Sequence, residues 1–182
     1  MRQVIMWNLL TLDGYFESAP WGLDFHELVW GKELEQFSQD QMAGADTLLF
    51  GRKTYEGMAS YWLTSTEQPT ADRMNQIAKI VFSNTLDQAT WNNTTLVRGP
   101  AEKEVARLRQ EDGRDMFVFG SADLSATLMK HGLIDEYRLC LVPVVLGRGT
   151  PLFKPLAEPL KLKLVESQPL TTGGVILKYR PA

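Results

Sequence analysis

The sequence predicts an α/β protein: a mixed, mostly parallel sheet with helices on both faces and antiparallel strands added at the C-terminal end. Three observations predict it. Short continuous apolar runs, Thr47-Leu48-Leu49-Phe50 and Met116-Phe117-Val118-Phe119, read as strands buried on both faces. They alternate with helix-length segments, as parallel crossovers require. After Gly132 the alternation stops, and Asp135–Val145, Lys161–Ser167 and Val175–Arg180 read as strands with turns and no helix between them.

Taken in order, Val4–Leu12 is rich in β-formers and ends at the turn pair Asp13-Gly14. Leu28–Ala43 reads as a helix. Its Leu34, Phe37 and Met42 lie near one face, Glu33, Gln36, Gln39 and Asp40 lie largely outside it, and Gly44 stops it. The strand Thr47–Phe50 passes through Gly51-Arg52-Lys53-Thr54 into a short helix that runs to about Ser60. Thr64–Pro69 is a polar loop, and Thr70 is placed to cap a helix over Ala71–Ile77. Lys79–Ser83 and Thr94–Val97 are further strands. Pro100, at the favoured first position, opens the helix Ala101–Glu111, which Gly113 closes. Met116–Phe119 leads through Gly120-Ser121 into a helix over Asp123–His131, ended by Gly132.

The chain has 182 residues, the size of one domain, with 44% apolar and 23% charged residues. A net charge of −3 argues against a generally basic nucleic-acid binder and against an acidic disordered tail. Cys140 stands alone, so no intramolecular disulfide forms. With only His26 and His131 beside it, a Cys/His zinc site is not expected. The apolar start Val4–Trp7 is broken by Asn8, Asp13 and Glu17, too soon for a secretory signal. No stretch is long enough to span a membrane, so a cytoplasmic protein is expected.

Two segments carry the chemistry. Gly51-Arg52-Lys53-Thr54 lies where a buried strand enters a helix, and a helix start offers free N–H groups and a positive dipole end that suit phosphate. It reads equally as an ordinary strand–helix turn with an exposed basic pair. Gly120-Ser121-Ala122 is a second such turn without a full G-x-G-x-x-G fingerprint, and Ser121 there reads equally as a helix cap. Ligands of open α/β sheets sit beyond the carboxyl ends of the strands, where both turns fall, so a pyrophosphate-bearing cofactor spanning them fits. Ser83-Asn84-Thr85 ends a strand on the same side. Gly147-Arg148-Gly149-Thr150-Pro151 lacks a P-loop ending and reads as a loop or hairpin. Trp21, Phe25 and Trp30 either stack on a heterocycle or fill the core. His26 has no Ser or Cys nucleophile motif beside it, so a hydrolase triad has no support.

These motifs together resemble the dihydrofolate-reductase-like superfamily. The resemblance is carried by Asn8–Tyr15, Ala45–Tyr55 and Phe117–Leu124. Val142–Phe153 makes the chain most similar to the reductase domain of bacterial riboflavin biosynthesis and its stand-alone relatives. The resemblance covers nearly the whole chain, residues 1–182, as one domain. It implies a three-layer fold with a central eight-stranded mixed sheet, and bound NADPH. It implies that Gly51, Arg52 and Thr54 meet cofactor phosphates, with Lys53 adding charge. Ser83 falls where the adenosine 2′-phosphate is often contacted, and Gly120, Ser121 and Ala122 fall where the pyrophosphate is cradled. Leu12-Asp13-Gly14 falls where the nicotinamide and substrate are bordered. The riboflavin bifunctional enzyme also carries a zinc deaminase domain, for which this chain has neither the room nor the cysteines. Counting back from Gly51 without gaps, the acid of true dihydrofolate reductases falls on Glu35.

The expected function is NADPH-dependent hydride transfer to a small heterocyclic or carbonyl substrate. 5-Amino-6-(5-phosphoribosylamino)uracil reduction is one candidate. The alternatives are a dihydrofolate reductase and a non-catalytic NADPH-binding paralogue. NADPH is expected over NADH because Arg52 and Lys53 have no acid directly beside them. Asp13 is the candidate substrate-side residue and Glu35 the candidate proton source, with His26 behind them. Glu35 falls at the border of its helix's apolar face, where it looks into a pocket or sits at a solvated edge. The apolar tail residues Leu139, Leu141, Val142, Val144, Val145 and Leu146 suggest a two-fold homodimer joined near Tyr137–Val145, the competing reading being burial in the monomer's own sheet.

Overall fold

A computed structural model describes residues 1–18 and 22–182. Its centre is β1 (Val4–Thr11), in which every residue is buried, as the long apolar run requires of a strand covered on both faces. The other strands are β2 (Tyr15–Glu17), β3 (Ala45–Gly51), β4 (Ala78–Phe82), β5 (Thr94–Val97), β6 (Asp115–Phe119), β7 (Glu136–Val142), β8 (Thr150–Pro151), β9 (Leu162–Pro169) and β10 (Val175–Pro181). The helices are α1 (Lys32–Ala43), α2 (Arg52–Trp62), α3 (Thr70–Gln76), α4 (Ala101–Leu108) and α5 (Ala122–Lys130).

Eight strands form one sheet in the order β5-β4-β3-β6-β1-β7-β10-β9. The pairings from β5 through β7 are all parallel, and β10 is antiparallel to both of its neighbours. The fold is therefore the three-layer, dihydrofolate-reductase-like architecture with antiparallel C-terminal additions. Leu34 of α1, Tyr55 of α2 and Met74 of α3 pack with Trp7, Phe50 and Phe117 on one face. Val105 and Leu108 of α4 and Leu124 and Leu128 of α5 pack with Met6, Leu49 and Val118 on the other.

Some boundaries differ from the sequence expectation. The helix expected over Leu28–Ala43 is split: a 3-10 turn covers Asp24–Leu28, Gly31 is fully extended, and α1 starts at Lys32. The helix expected to reach Glu111 ends at Leu108, because the Gln110 and Glu111 amides bond three residues back, tightening the chain out of the α-helix. Pro100 and Pro69 sit in cap positions, so Thr70 is the first residue of α3 rather than its cap.

A small second sheet pairs β2 with β8 and was not expected from the sequence. Gly149 makes it possible: a Cβ there would lie 2.3 Å from the Glu17 carbonyl oxygen, and its φ is +150°. Of the segment Tyr137–Val145, near which a two-fold interface is expected, residues 137–142 belong to β7, and Val145 is 68% exposed. That strand lies inside the sheet between β1 and β10, with Tyr137, Leu139, Cys140 and Val142 buried within the chain. The outer strand is β9, where Leu164 and Val165 are each 50% exposed.

Candidate functional site

Because β1, β3, β4, β5, β6 and β7 run parallel, the segments that follow them emerge at one edge of the sheet. β6 lies between β3 and β1, so the Gly51 and Gly120 turns are neighbours. They are bonded to each other. The Gly51 N–H donates to Ser121 Oγ at 3.0 Å, and the Ser121 N–H donates to Thr54 Oγ1 at 3.0 Å. Gly120 and Ser121 are both left-handed, with φ of +51° and +52°. Glycine is required at 120 on two counts: this φ, and a Cβ that would approach Phe16 Cε2 and Thr54 Oγ1 at 3.3 Å. Gly51 makes no such demand. Its φ is −79°, and a Cβ would touch only Ser121, at 3.8 Å.

The peptide groups of the second turn are held from both sides. The Gly120 N–H donates to Asn8 Oδ1 at 2.7 Å, and Ser125 Oγ donates to the Gly120 carbonyl at 3.1 Å. Ser121 stands in the cap position of α5 without a side-chain cap bond, because its hydroxyl faces Gly51 instead. The amides of Gly51, Gly120 and Ser121 are thus spent within the protein. The donors left for an anion are the first-turn amides of α2 and α5, which have no intrahelical partner. The two helix starts differ. The first turn of α2 has no acid, and Arg52 and Lys53 are exposed there without a salt bridge among the described residues. The first turn of α5 carries Asp123, which pairs with Lys154. Of the two, the start of α2 is electrostatically the better suited to an anion. Ala122, at the start of α5, is buried.

After β4, Ser83 Oγ accepts from the Thr85 and Leu86 amides at 3.2 and 3.0 Å, closing a tight turn. Arg98 straps this loop by donating to the Asn84, Leu86 and Asp87 carbonyls. Sequence reasoning missed Arg98, whose signal was a lone arginine between a strand and Gly99-Pro100. It also missed Asn8 and Ser125. Asn8 was legible as one amide inside an otherwise apolar strand.

On the far side of β1, Asp13 ties two loops together. Its Oδ1 accepts from Thr11 Oγ1 at 2.6 Å and from the Leu146 amide at 3.3 Å, and its Oδ2 from the Gly147 amide at 2.7 Å. The Thr11 hydroxyl first, then the two amides, hold its carboxyl below the usual value, so it is ionised and its acceptors are engaged. Leu12 and Val145, 60% and 68% exposed, flank this tie.

The structure places Glu35 on the exposed face of α1. It accepts there from Gln39 Nε2 at 3.3 Å. Its neighbour Glu33 has the built-in contact, pinning Thr171 of the β9–β10 turn through hydroxyl and amide. Burial pushes the His26 imidazole down to about 4, so it is neutral near pH 7. Phe25 is core filler, Trp30 is half exposed, and Trp21 lies outside the described residues. Among the described residues no cluster of three His, Cys, Asp or Glu side chains could hold a metal ion.

Comparison with known proteins gives the family and the fold. The chain is 30% identical over 183 residues to the uncharacterized protein YyaP of Bacillus subtilis (strain 168), covering 98% of this chain and 94% of that one. A second protein of the same organism, YwjB, is 30% identical over 163 residues, covering 90% and 89%. Among solved structures, a Shewanella sp. PV-4 protein assigned to riboflavin biosynthesis superposes with a TM-score of 0.84 at 22% identity, over 99% of both chains. The Thermotoga maritima diaminohydroxyphosphoribosylaminopyrimidine deaminase/5-amino-6-(5-phosphoribosylamino)uracil reductase gives 0.72 at 16% identity, over 100% of this chain and 57% of that one. Dihydrofolate reductase of Enterococcus faecalis, complexed with NADP(H), gives 0.67 at 14% identity, over 98% and 96%. At these identities the superpositions show the fold. The RibD C-terminal domain model matches residues 2–176, and the chain belongs to that family.

Proposed function

We propose that the protein is an NADPH-dependent reductase, a single cytoplasmic domain that transfers hydride to a small heterocyclic or carbonyl substrate of the riboflavin-pathway type. One observation carries this reading. Two strand–helix turns at the carboxyl edge of the sheet are locked to each other by the Ser121 and Thr54 hydroxyls, beside a helix start bearing Arg52 and Lys53. In this reading the α2 amides with Arg52, Lys53 and Thr54 hold phosphate, and Ser83 on its strapped loop meets the 2′-phosphate. The α5 start at Ala122 takes the pyrophosphate, for which Gly120 and Ser121 supply shape rather than free amides. Bound NADPH supplies the hydride. The protein's part is to hold that donor still and to shape the space beyond Leu12, where the Asp13 tie fixes the loops on either side. With Asp13 engaged, Glu35 solvated and His26 neutral, the proton comes from water or from the substrate.

The test is NADPH binding, followed by NADPH oxidation with 5-amino-6-(5-phosphoribosylamino)uracil, with dihydrofolate and with a panel of small carbonyl compounds. Oxidation with the uracil supports the leading reading. Oxidation with dihydrofolate alone favours a dihydrofolate reductase, and tight binding without turnover favours a non-catalytic paralogue. Absence of NADPH binding refutes all three.

A further inference from the structure

We propose that Asn8 is a positioning residue of this crevice: it holds the strained Gly120–Ser121 turn in the left-handed shape that keeps the start of α5 facing the start of α2. The inference rests on the cofactor reading above for its purpose, and on the structure alone for its geometry. Asn8 is 6% exposed, in a strand whose other residues from Val4 to Leu10 are apolar. A buried amide is kept in such a place only for the hydrogen bonds it makes. Asn8 makes one, to the Gly120 N–H. That bond assigns Oδ1 as the acceptor, and Nδ2 is left buried without a partner among the described residues. An apolar side chain would remove the leftover Nδ2 donor but would leave the buried Gly120 N–H without an acceptor. The amide is therefore accounted for by the Gly120 bond.

The turn needs that hold. Ser121 has φ of +52°, a conformation unfavourable for any residue with a Cβ, and it follows a left-handed glycine. Of the side chains that bind the turn, Thr54 and Ser125 stand on α2 and α5, the helices being positioned. Asn8 stands on the central strand of the sheet. Among these side chains it is the one that stands on the sheet, while the Gly51 amide at the end of β3 holds the turn through the Ser121 hydroxyl.

The test uses the full chain and compares wild type with Asn8→Leu, Asn8→Asp and, as an ordinary core lesion, Val105→Ala. In Asn8→Leu the Gly120 and Ser121 amides should exchange hydrogen about tenfold faster or more, and NADPH should bind about tenfold more weakly. Exchange within residues 45–50 of β3 and within α4 should stay as in wild type, the Gly51 amide being bonded to the turn itself. Asn8→Asp keeps an acceptor for Gly120 and should restore the protection. Val105→Ala should speed exchange broadly and leave NADPH affinity unchanged. Wild-type exchange at Gly120 and Ser121 in Asn8→Leu overturns the proposal, as does an even rise along the whole chain, or failure of Asn8→Asp to restore protection. If Asn8→Leu does not fold, Asn8→Ala is read the same way. A wild-type chain that does not bind NADPH overturns the cofactor reading, and the exchange arms, which need no ligand, still decide the role of Asn8.

Discussion

Replacing Gly120 and Gly51 separately by alanine should give opposite signatures. At Gly120 the backbone must keep φ of +51°, which costs a side chain about 1–2 kcal/mol, and the new methyl meets Phe16 Cε2 and Thr54 Oγ1 at 3.3 Å. Thr54 cannot yield freely, because its hydroxyl accepts from Ser121. A loss of about 1–2 kcal/mol corresponds to a fall in Tm of roughly 2–8 °C for a chain of this length. At Gly51 the conformation suits alanine and the nearest atoms lie at 3.8 Å. The entropic gain from alanine and its poorer fit at a helix cap offset each other to within about 0.5 kcal/mol. Its Tm should therefore stay within about 2 °C of wild type. If phosphate packs against Gly51, that same methyl occupies its place, and NADPH should weaken about tenfold or more. Calorimetric melting and NADPH titration of the two variants measure this. A Gly120→Ala protein that melts like wild type would refute the strain argument. A Gly51→Ala protein that binds NADPH like wild type would remove Gly51 from the site.

Arg52→Ala should weaken NADPH about tenfold or more and barely affect NADH, since hydrogen bonds to charged groups contribute about 1.5–3 kcal/mol. Equal losses for both cofactors would show that Arg52 does not read the 2′-phosphate. Asp13 has its carboxyl held below 3.8, so its contribution to stability is present above that value and is lost as pH falls through the lower, folded one. Asp13→Asn should flatten the acid end of the stability profile, and it should loosen loop 144–147 without the roughly 10²–10⁴-fold turnover loss that removing a general acid gives. A loss of that size with cofactor affinity intact would restore Asp13 as the proton donor. Glu35→Gln should keep full turnover at saturating NADPH across pH 5–9, and a loss there would return Glu35 to the mechanism. We expect a two-fold homodimer by light scattering at micromolar concentration, joined through the outer strand β9, so that Leu164→Lys shifts it toward monomer. A monomeric wild type would refute this.

The parts of the site built from backbone were legible in the sequence. Gly51 and Gly120 follow buried apolar runs and precede helices, and that pattern alone places helix starts at the carboxyl edge of a parallel sheet. Side-chain assignments were less legible, because spacing along a helix does not say which neighbours spend a polar group. Glu35 sits at the border of its face by periodicity, yet it is solvated, while Glu33, two residues earlier, meets the β9–β10 turn. Ser121 read as a cap for α5, and its hydroxyl went across the crevice to Gly51. The same limit applies to the expected interface. An apolar strand such as β7 must be covered, but its composition does not distinguish cover by β1 and β10 from cover by a second chain. Strands β2 and β8, of three and two residues, are too short to show any period. They depend instead on Gly149 and on Asp13, whose bonds close the loops from 133 and 134 residues away in sequence. Those loops flank the space beyond Leu12 and Val145, where the proposed substrate would lie. Substrate choice is therefore the property that local sequence pattern reports least, and the carboxyl edge of the sheet proposed for the cofactor, fixed by strand direction and two turns, is the property it reports best.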